Sequence, residues 1–115
     1  MNALNYTILH ADGHKTLGRI RNFPTDPAAA VRAVERLVAA AMGEDAHFEP
    51  VSVWHEGERT HMFVDETGHL KRLRRNEAAT AIYRADVLAR QKSPLPPESL
   101  SWIAGDAVLL SRRVG

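Results

Sequence analysis

The chain has no cysteine among its 115 residues, which excludes disulfide staples, thiolate metal sites and a thiol nucleophile, and suits a reducing compartment. Aromatic residues make up only 6%, so few rings are on hand to stack against nucleic-acid bases. No run approaches the roughly 20 apolar residues that a membrane-spanning helix needs. The opening Met1-Asn2-Ala3-Leu4-Asn5-Tyr6 lacks the basic start and apolar stretch of a secretory signal, so the expected location is cytoplasmic, without a membrane partner. Gly-x-Ser-x-Gly, HExxH and phosphate-cradling glycine motifs are all missing, as are internal repeats and low-complexity tracts.

What is present is an ordinary globular composition, 44% apolar and 25% charged, enough for one domain spanning residues 1–115. The net charge of +1 hides a division. Residues 1–70 hold six Lys/Arg against ten Asp/Glu, whereas residues 71–115 hold nine against four. Either the halves attract one another across the fold, or one face is basic and open to a polyanion.

Leu4–His10 alternates as a strand and ends at Asp12-Gly13, a turn-forming pair, after which Lys15–Ile20, with Gly18 and two arginines, gives a shorter strand. Asp26 can cap a helix whose first position suits Pro27. Val31, Val34, Leu37, Val38, Ala41 and Met42 recur at steps of three and four, and Gly43 supplies the stop. Phe48–His55 and Thr60–Asp65 form a hairpin around Glu56-Gly57-Glu58, and Pro50 assigns the first of the two to an edge or a bulge. Asn76 caps a second helix running to about Arg90, with Ala78, Ala79, Ile82, Tyr83 and Val87 on one stripe. Ser93-Pro94-Leu95-Pro96-Pro97 breaks the chain, a single helical turn can start at Pro97, and Ala107–Leu110 reads as a last buried strand. The expected fold is α+β: a mainly antiparallel sheet of two hairpins and a last short strand, with two helices on one face.

Three segments, Met62-Phe63-Val64-Asp65-Glu66-Thr67-Gly68-His69-Leu70, Asn76-Glu77-Ala78-Ala79-Thr80-Ala81-Ile82-Tyr83 and Ile103-Ala104-Gly105-Asp106-Ala107-Val108-Leu109, carry a resemblance. Their order resembles a family of small domains of unknown function found in bacteria, plasmids and phages. In that family a strand ends in an acidic turn with glycine, an asparagine-started helix carries Ala-Thr, and a glycine-containing strand closes the domain. The similarity runs from about Phe48 onward, and the chain departs from it where Arg72–Arg75 replaces a less charged loop. The resemblance brings no catalytic residues. It implies the company of mobile-element genes, among which small proteins that bind and block host defence machinery are common.

Six histidines, His10, His14, His47, His55, His61 and His69, all lie in the first 69 residues. His10 and His14 flank one turn, and His55 and His61 are expected to face each other across the second hairpin near Glu56, Glu58, Asp65 and Glu66. No compact ligand spacing fixes a metal, so solvent-facing histidines and no metal or other cofactor are the expectation. The same turn carboxylates form no acid–base pair of evident geometry, and no enzyme activity is expected. Lys71, Arg72, Arg74 and Arg75 beside the helix start at Asn76 are the strongest candidates for phosphate or partner contacts, extended by Arg84, Arg90, Lys92, Arg112 and Arg113. Trp54 is expected in the core with Val51, Val53 and Phe63, and Trp102 at an interface. The leading expectation is a non-enzymatic mobile-element accessory protein. It would bind a host protein or ribonucleoprotein, as an inhibitor of a bacterial defence complex such as CRISPR or restriction. The alternative is a small nucleic-acid-binding protein using Lys71–Arg75. The Pro50 strand, if exposed, also offers an edge to a second copy in a homodimer.

Overall fold

The structure, a computed structural model, describes residues 2–43, 45–90 and 100–114. Among them lie β1 (Ala3–Leu9), β2 (Lys15–Arg21), α1 (Pro27–Met42), β3 (Phe48–His55), β4 (Glu58–Asp65), α2 (Glu77–Arg90) and β5 (Ala107–Leu110). The strands form one antiparallel, open sheet in the order β2-β1-β5-β4-β3, so the chain has the α+β architecture expected of it. Lys92, the proline-rich break at 93–97 and the start of the turn expected from Pro97 lie outside the described residues.

Both hairpins follow from their turn residues. Gly13, at φ +104°, donates its N–H to the His10 carbonyl at 2.9 Å and closes the first. In the second, Glu56 (φ +50°) and Gly57 (φ +81°) both take the left-handed conformation that a two-residue type I′ turn demands. That tight turn lets β4 begin at Glu58 instead of Thr60.

β5 unites the hairpins. Ala107, Val108, Leu109 and Leu110 are all buried, with Leu9↔Ala107 and Tyr6↔Leu110 on one side and Met62↔Leu109 and Phe63↔Val108 on the other. Successive residues of a strand face opposite ways. Val108 and Leu110 pack with Leu4, Phe63 and the α1 residues Ala30, Val34 and Val38; Ala107 and Leu109 pack with Leu9, Val53, Met62 and the α2 residue Ala79. The helices therefore cover opposite faces of the sheet, which corrects the expectation of two helices on one face. A strand that is apolar at four consecutive positions has two faces to keep from water, so it requires a cover on each.

α1 begins as its sequence dictates: the Asp26 carboxylate accepts the Ala29 N–H at 3.0 Å, and Pro27 follows. Its buried stripe is Ala30, Ala33, Val34 and Val38, rotated so that Val31 is exposed. Trp54 is also not in the core. Its alternation with the fully buried Val53 turns it outward, 53% exposed, with the Arg59 guanidinium 5.7 Å from its ring.

The two edges of the sheet differ. β3 pairs with β4 without a bulge, so Pro50 marks an edge. Residues of the same parity on that strand direct their N–H groups outward; Pro50 has none, and the Trp54 N–H is taken by the buried Asp86 carboxylate of α2 at 3.0 Å. Arg59 at 2.7 Å and Arg90 at 2.9 Å complete the partners of Asp86. The edge offered by sequence to a second copy is thus blunted by proline and carboxylate. β2 forms the other edge. Its Gly18 is needed because the Tyr6 ring lies where a Cβ would stand.

Asn76 secures α2 to the sheet. Its side chain is fully buried; Nδ2 donates to the Leu9 carbonyl (2.8 Å) and the Gly105 carbonyl (2.9 Å), while Oδ1 accepts the Ala79 N–H (3.0 Å). Asn76→Ala removes the cap and strands two buried acceptors, a loss of roughly 3 kcal/mol in urea unfolding. Asn76→Asp retains the cap acceptor but opposes a carboxylate to two carbonyls, so it is expected to be at least as destabilising in the same measurement.

Candidate functional site

The loop after β4 supplies the basic run, and the structure neutralises part of it. The Lys71 ammonium lies 2.8 Å from the Asp65 carboxylate and donates to the Asp45 carbonyl at 2.7 Å. Burial alone would raise the Asp65 carboxyl; the hydrogen bond from Lys71, with two more from Thr67, outweighs it and holds the group below its ordinary value. Arg75 sits 2.8 Å from Glu77, with its guanidinium 5.8 Å from the Trp102 ring. Lys71, Arg72 (φ +57°) and Arg74 are exposed, and of these Arg72 and Arg74 have no carboxylate partner among the described residues.

Of the other expected site residues, Trp102 joins the loop through Arg75 and His69, whereas Asn76, Arg112 and Arg113 do not. Asn76 is sealed inside the fold, because its cap serves the helix and the two carbonyls and leaves no atom for a ligand. Trp102 is half-buried, its ring 4.1 Å from that of His69 and its carbonyl accepting from His69 Nε2 at 2.7 Å. Arg112 and Arg113 follow β5, at the far end of the sheet. Arg112 reaches Asn2 Oδ1 at 3.2 Å and lies over the Phe23 ring, whereas Arg75 pairs with Ala104 before β5 begins. The length of β1, about 20 Å, separates the two groups.

The histidines are likewise dispersed. His61 pairs with Ser52 and packs edge-on against Phe63 on the α1 face, whereas His55 pairs with Glu58 and lies on the α2 face. They do not face each other, because His61 shares a face with Ser52, an odd number of residues from His55 on β3. Burial, aided by the Arg113 charge, lowers the His61 pKa and favours neutral imidazole. His10 and His14 stack with ring centroids 3.8 Å apart; His14 bonds Asp12, whose carboxyl is held low first by the His14 backbone N–H. Among the described residues, no three His, Cys, Asp or Glu side chains are placed to share a metal ion.

A different basic surface emerges on β2. Lys15, Leu17, Arg19 and Arg21 alternate with Thr16, Gly18 and Ile20, and all four are exposed. They pair with Leu9, Thr7, Asn5 and Ala3, on the α2 side of the sheet. Among the described residues none of these three cations is paired with a carboxylate. Arg19 Nε donates to Asn5 Oδ1 at 2.8 Å, which holds the guanidinium along the sheet. Beside this row, where α2 has turned away toward β3, a trough of about 450 Å³ opens over Asn5, Thr7, Leu109 and Ser111. Leu17, 80% exposed, and Gly18 line it on the β2 side, and His55, Glu56 and Glu58 at the tip of the β3–β4 hairpin line the other.

Counting charge by halves of the chain concealed this row, because Arg19 and Arg21 belong to the acidic half. The usable signal was three cations of one parity within a single strand. Asp86 was also missed; an acid four residues after Ile82 and three after Tyr83, on the apolar stripe of α2, marks a buried acceptor.

No family model, no curated protein and no solved structure matches the chain.

Asp65 and Lys71 give the loop a pH dependence. The folded carboxyl has the lowered pKa, so its stabilisation is complete above the unfolded value near 3.8 and is lost as pH falls through the folded one. Lys71→Met removes the cation, is expected to cost about 1–2 kcal/mol because Lys71 keeps contact with water, and moves the acid limb of the unfolding curve to higher pH. Thermal melts between pH 2 and 7 check both effects, with Arg72→Met as the control that leaves the limb in place.

Proposed function

We propose that the chain is a non-enzymatic binding protein whose ligand is nucleic acid, held through β2. The observation that carries the reading is the row Lys15, Arg19 and Arg21, exposed on one face and without a carboxylate partner among the described residues. Cations left unneutralised by their own fold release counterions when phosphates replace them, which favours a polyanion. The Lys71–Arg75 loop is secondary in this reading, since Lys71 and Arg75 already have acidic partners. Arg72 and Arg74 remain as outlying phosphate contacts.

A second reading is that the chain blocks a host protein or ribonucleoprotein, the mobile-element role that the family resemblance implies. Its support is Trp54, an exposed indole stacked on Arg59, since tryptophan and arginine are the residue types that dominate binding hot spots. In that reading the contact is made from the β3 side, away from β2, and inhibition of a defence complex such as CRISPR or restriction is its narrower form.

The test is fluorescence anisotropy of a labelled oligonucleotide at rising salt. Nucleic-acid binding is expected to weaken linearly on a log–log plot, and Arg19→Glu/Arg21→Glu is expected to cost at least tenfold in affinity and to reduce the slope by about 2. Arg72→Glu/Arg74→Glu is expected to cost less. If the loop pair proves the more damaging, the site belongs to Lys71–Arg75. If no oligonucleotide binds at low salt while a host complex is retained through Trp54, the blocking reading replaces the first.

A further inference from the structure

The β2 row and the trough beside it are differently charged, and the difference has a direction. On one side stand Lys15, Arg19 and Arg21; on the other stand Glu56 and Glu58; between them the floor carries Asn5 and Thr7. A duplex presents phosphates along both margins of each groove, so the carboxylate side would repel one of them. A single strand is itself asymmetric, with phosphates along one margin and bases along the other. Resting on the nucleic-acid reading above, we propose that the ligand is a single strand lying along β2, phosphates over Lys15, Arg19 and Arg21, and bases turned into the trough.

The dimensions and chemistry of the trough agree. Side chains on one face of a strand repeat about every 7 Å, a step that suits successive phosphates of an extended nucleic-acid strand. The 450 Å³ of open volume accommodates a base and its sugar. Leu17 stands in the cation row without charge and with most of its surface in water, where it offers an apolar contact to a base face. Asn5 engages Arg19 through its carbonyl oxygen, which leaves its amide N–H groups as donors, and the glutamates on the opposite side accept from exocyclic amines. The His55 ring lines the trough on the glutamate side, next to Glu56, so recognition rests on these hydrogen bonds, on Leu17 and on that one ring.

The experiment compares four probes of equal length, about 12 nucleotides each, under one salt condition: a single-stranded deoxyoligonucleotide, its ribo counterpart, the deoxy duplex, and an abasic strand with the same phosphates and no bases. A based single strand of either sugar is expected to bind at least tenfold tighter than both duplex and abasic strand, and the better of the two sugars identifies the natural form. Backbone amide shifts at Thr7 and Ser111 are expected with the based strand only. Thr7→Leu, which fills the floor and removes its hydroxyl, is expected to abolish the advantage over the abasic strand; the amide shifts of the unaltered protein answer the question if that variant unfolds. Equal affinity for based and abasic strands, or preference for the duplex, overturns the proposal while the nucleic-acid reading stands. Failure of every probe to bind at low salt overturns both.

Discussion

The carboxamide of Asn76 joins three stretches of chain that are distant in sequence: the end of β1, the residues before β5 and the first turn of α2. A buried side-chain amide is costly unless its donors and acceptor are satisfied, and here three protein groups satisfy it. The dependence is mutual, because the Leu9 and Gly105 carbonyls are themselves withdrawn from water and have this amide as their partner. The position of α2 over Leu9, Ala107 and Leu109 follows, as does the direction in which the helix leaves the sheet toward Trp54 and the β3 edge. Where α2 departs, the remainder of that face, with Thr7, Leu17 and Ser111, is left uncovered by the described residues.

Charge in this protein is best sorted by whether a cation already has a carboxylate. Lys71, Arg75, Arg59 and Arg90 have one, and their energies go into holding loops and edges. Lys71 with Asp65 is the cross-half attraction that the divided charge suggests, but Arg59 with Asp86 runs in the opposite sense, with the cation in the acidic half. Attraction between the halves is therefore present, in pairs of both senses. A run of like charges in sequence is a weak guide to a surface, because its members can turn inward one at a time, whereas cations two apart in a strand must share a face.

Much of the fold was legible because local chemistry and tertiary structure agree: Asp26-Pro27 starts a helix, Asn76 starts another, and Glu56-Gly57 closes a hairpin. Trp54, expected in the core, lies outward instead, because alternation with the buried Val53 outweighs the size of its ring. The side of the sheet on which each helix lies was harder, because it depends on crossovers that no short window contains. Even so, four consecutive apolar residues in β5 already required two covers. The trough was not legible at all. It is assembled from β1, β2, the hairpin tip and the chain after β5, and it exists because a helix ends its contact early, a property of packing and not of any one segment.

The place of β5 carries a consequence for how the chain reaches this state. Each hairpin closes over a turn of a few residues, but in the described sheet the two share no ladder except through β5, whose partners in β1 lie almost the whole chain length away. Contacts of that span form slowly. Until they form, β1 and β4 each present an unpaired inner edge flanked by apolar side chains, the kind of surface on which chains adhere to one another. The vulnerable period of this protein is therefore set by the time four residues take to find the slot between two hairpins already made, and its yield on refolding should be governed by concentration more than by final stability.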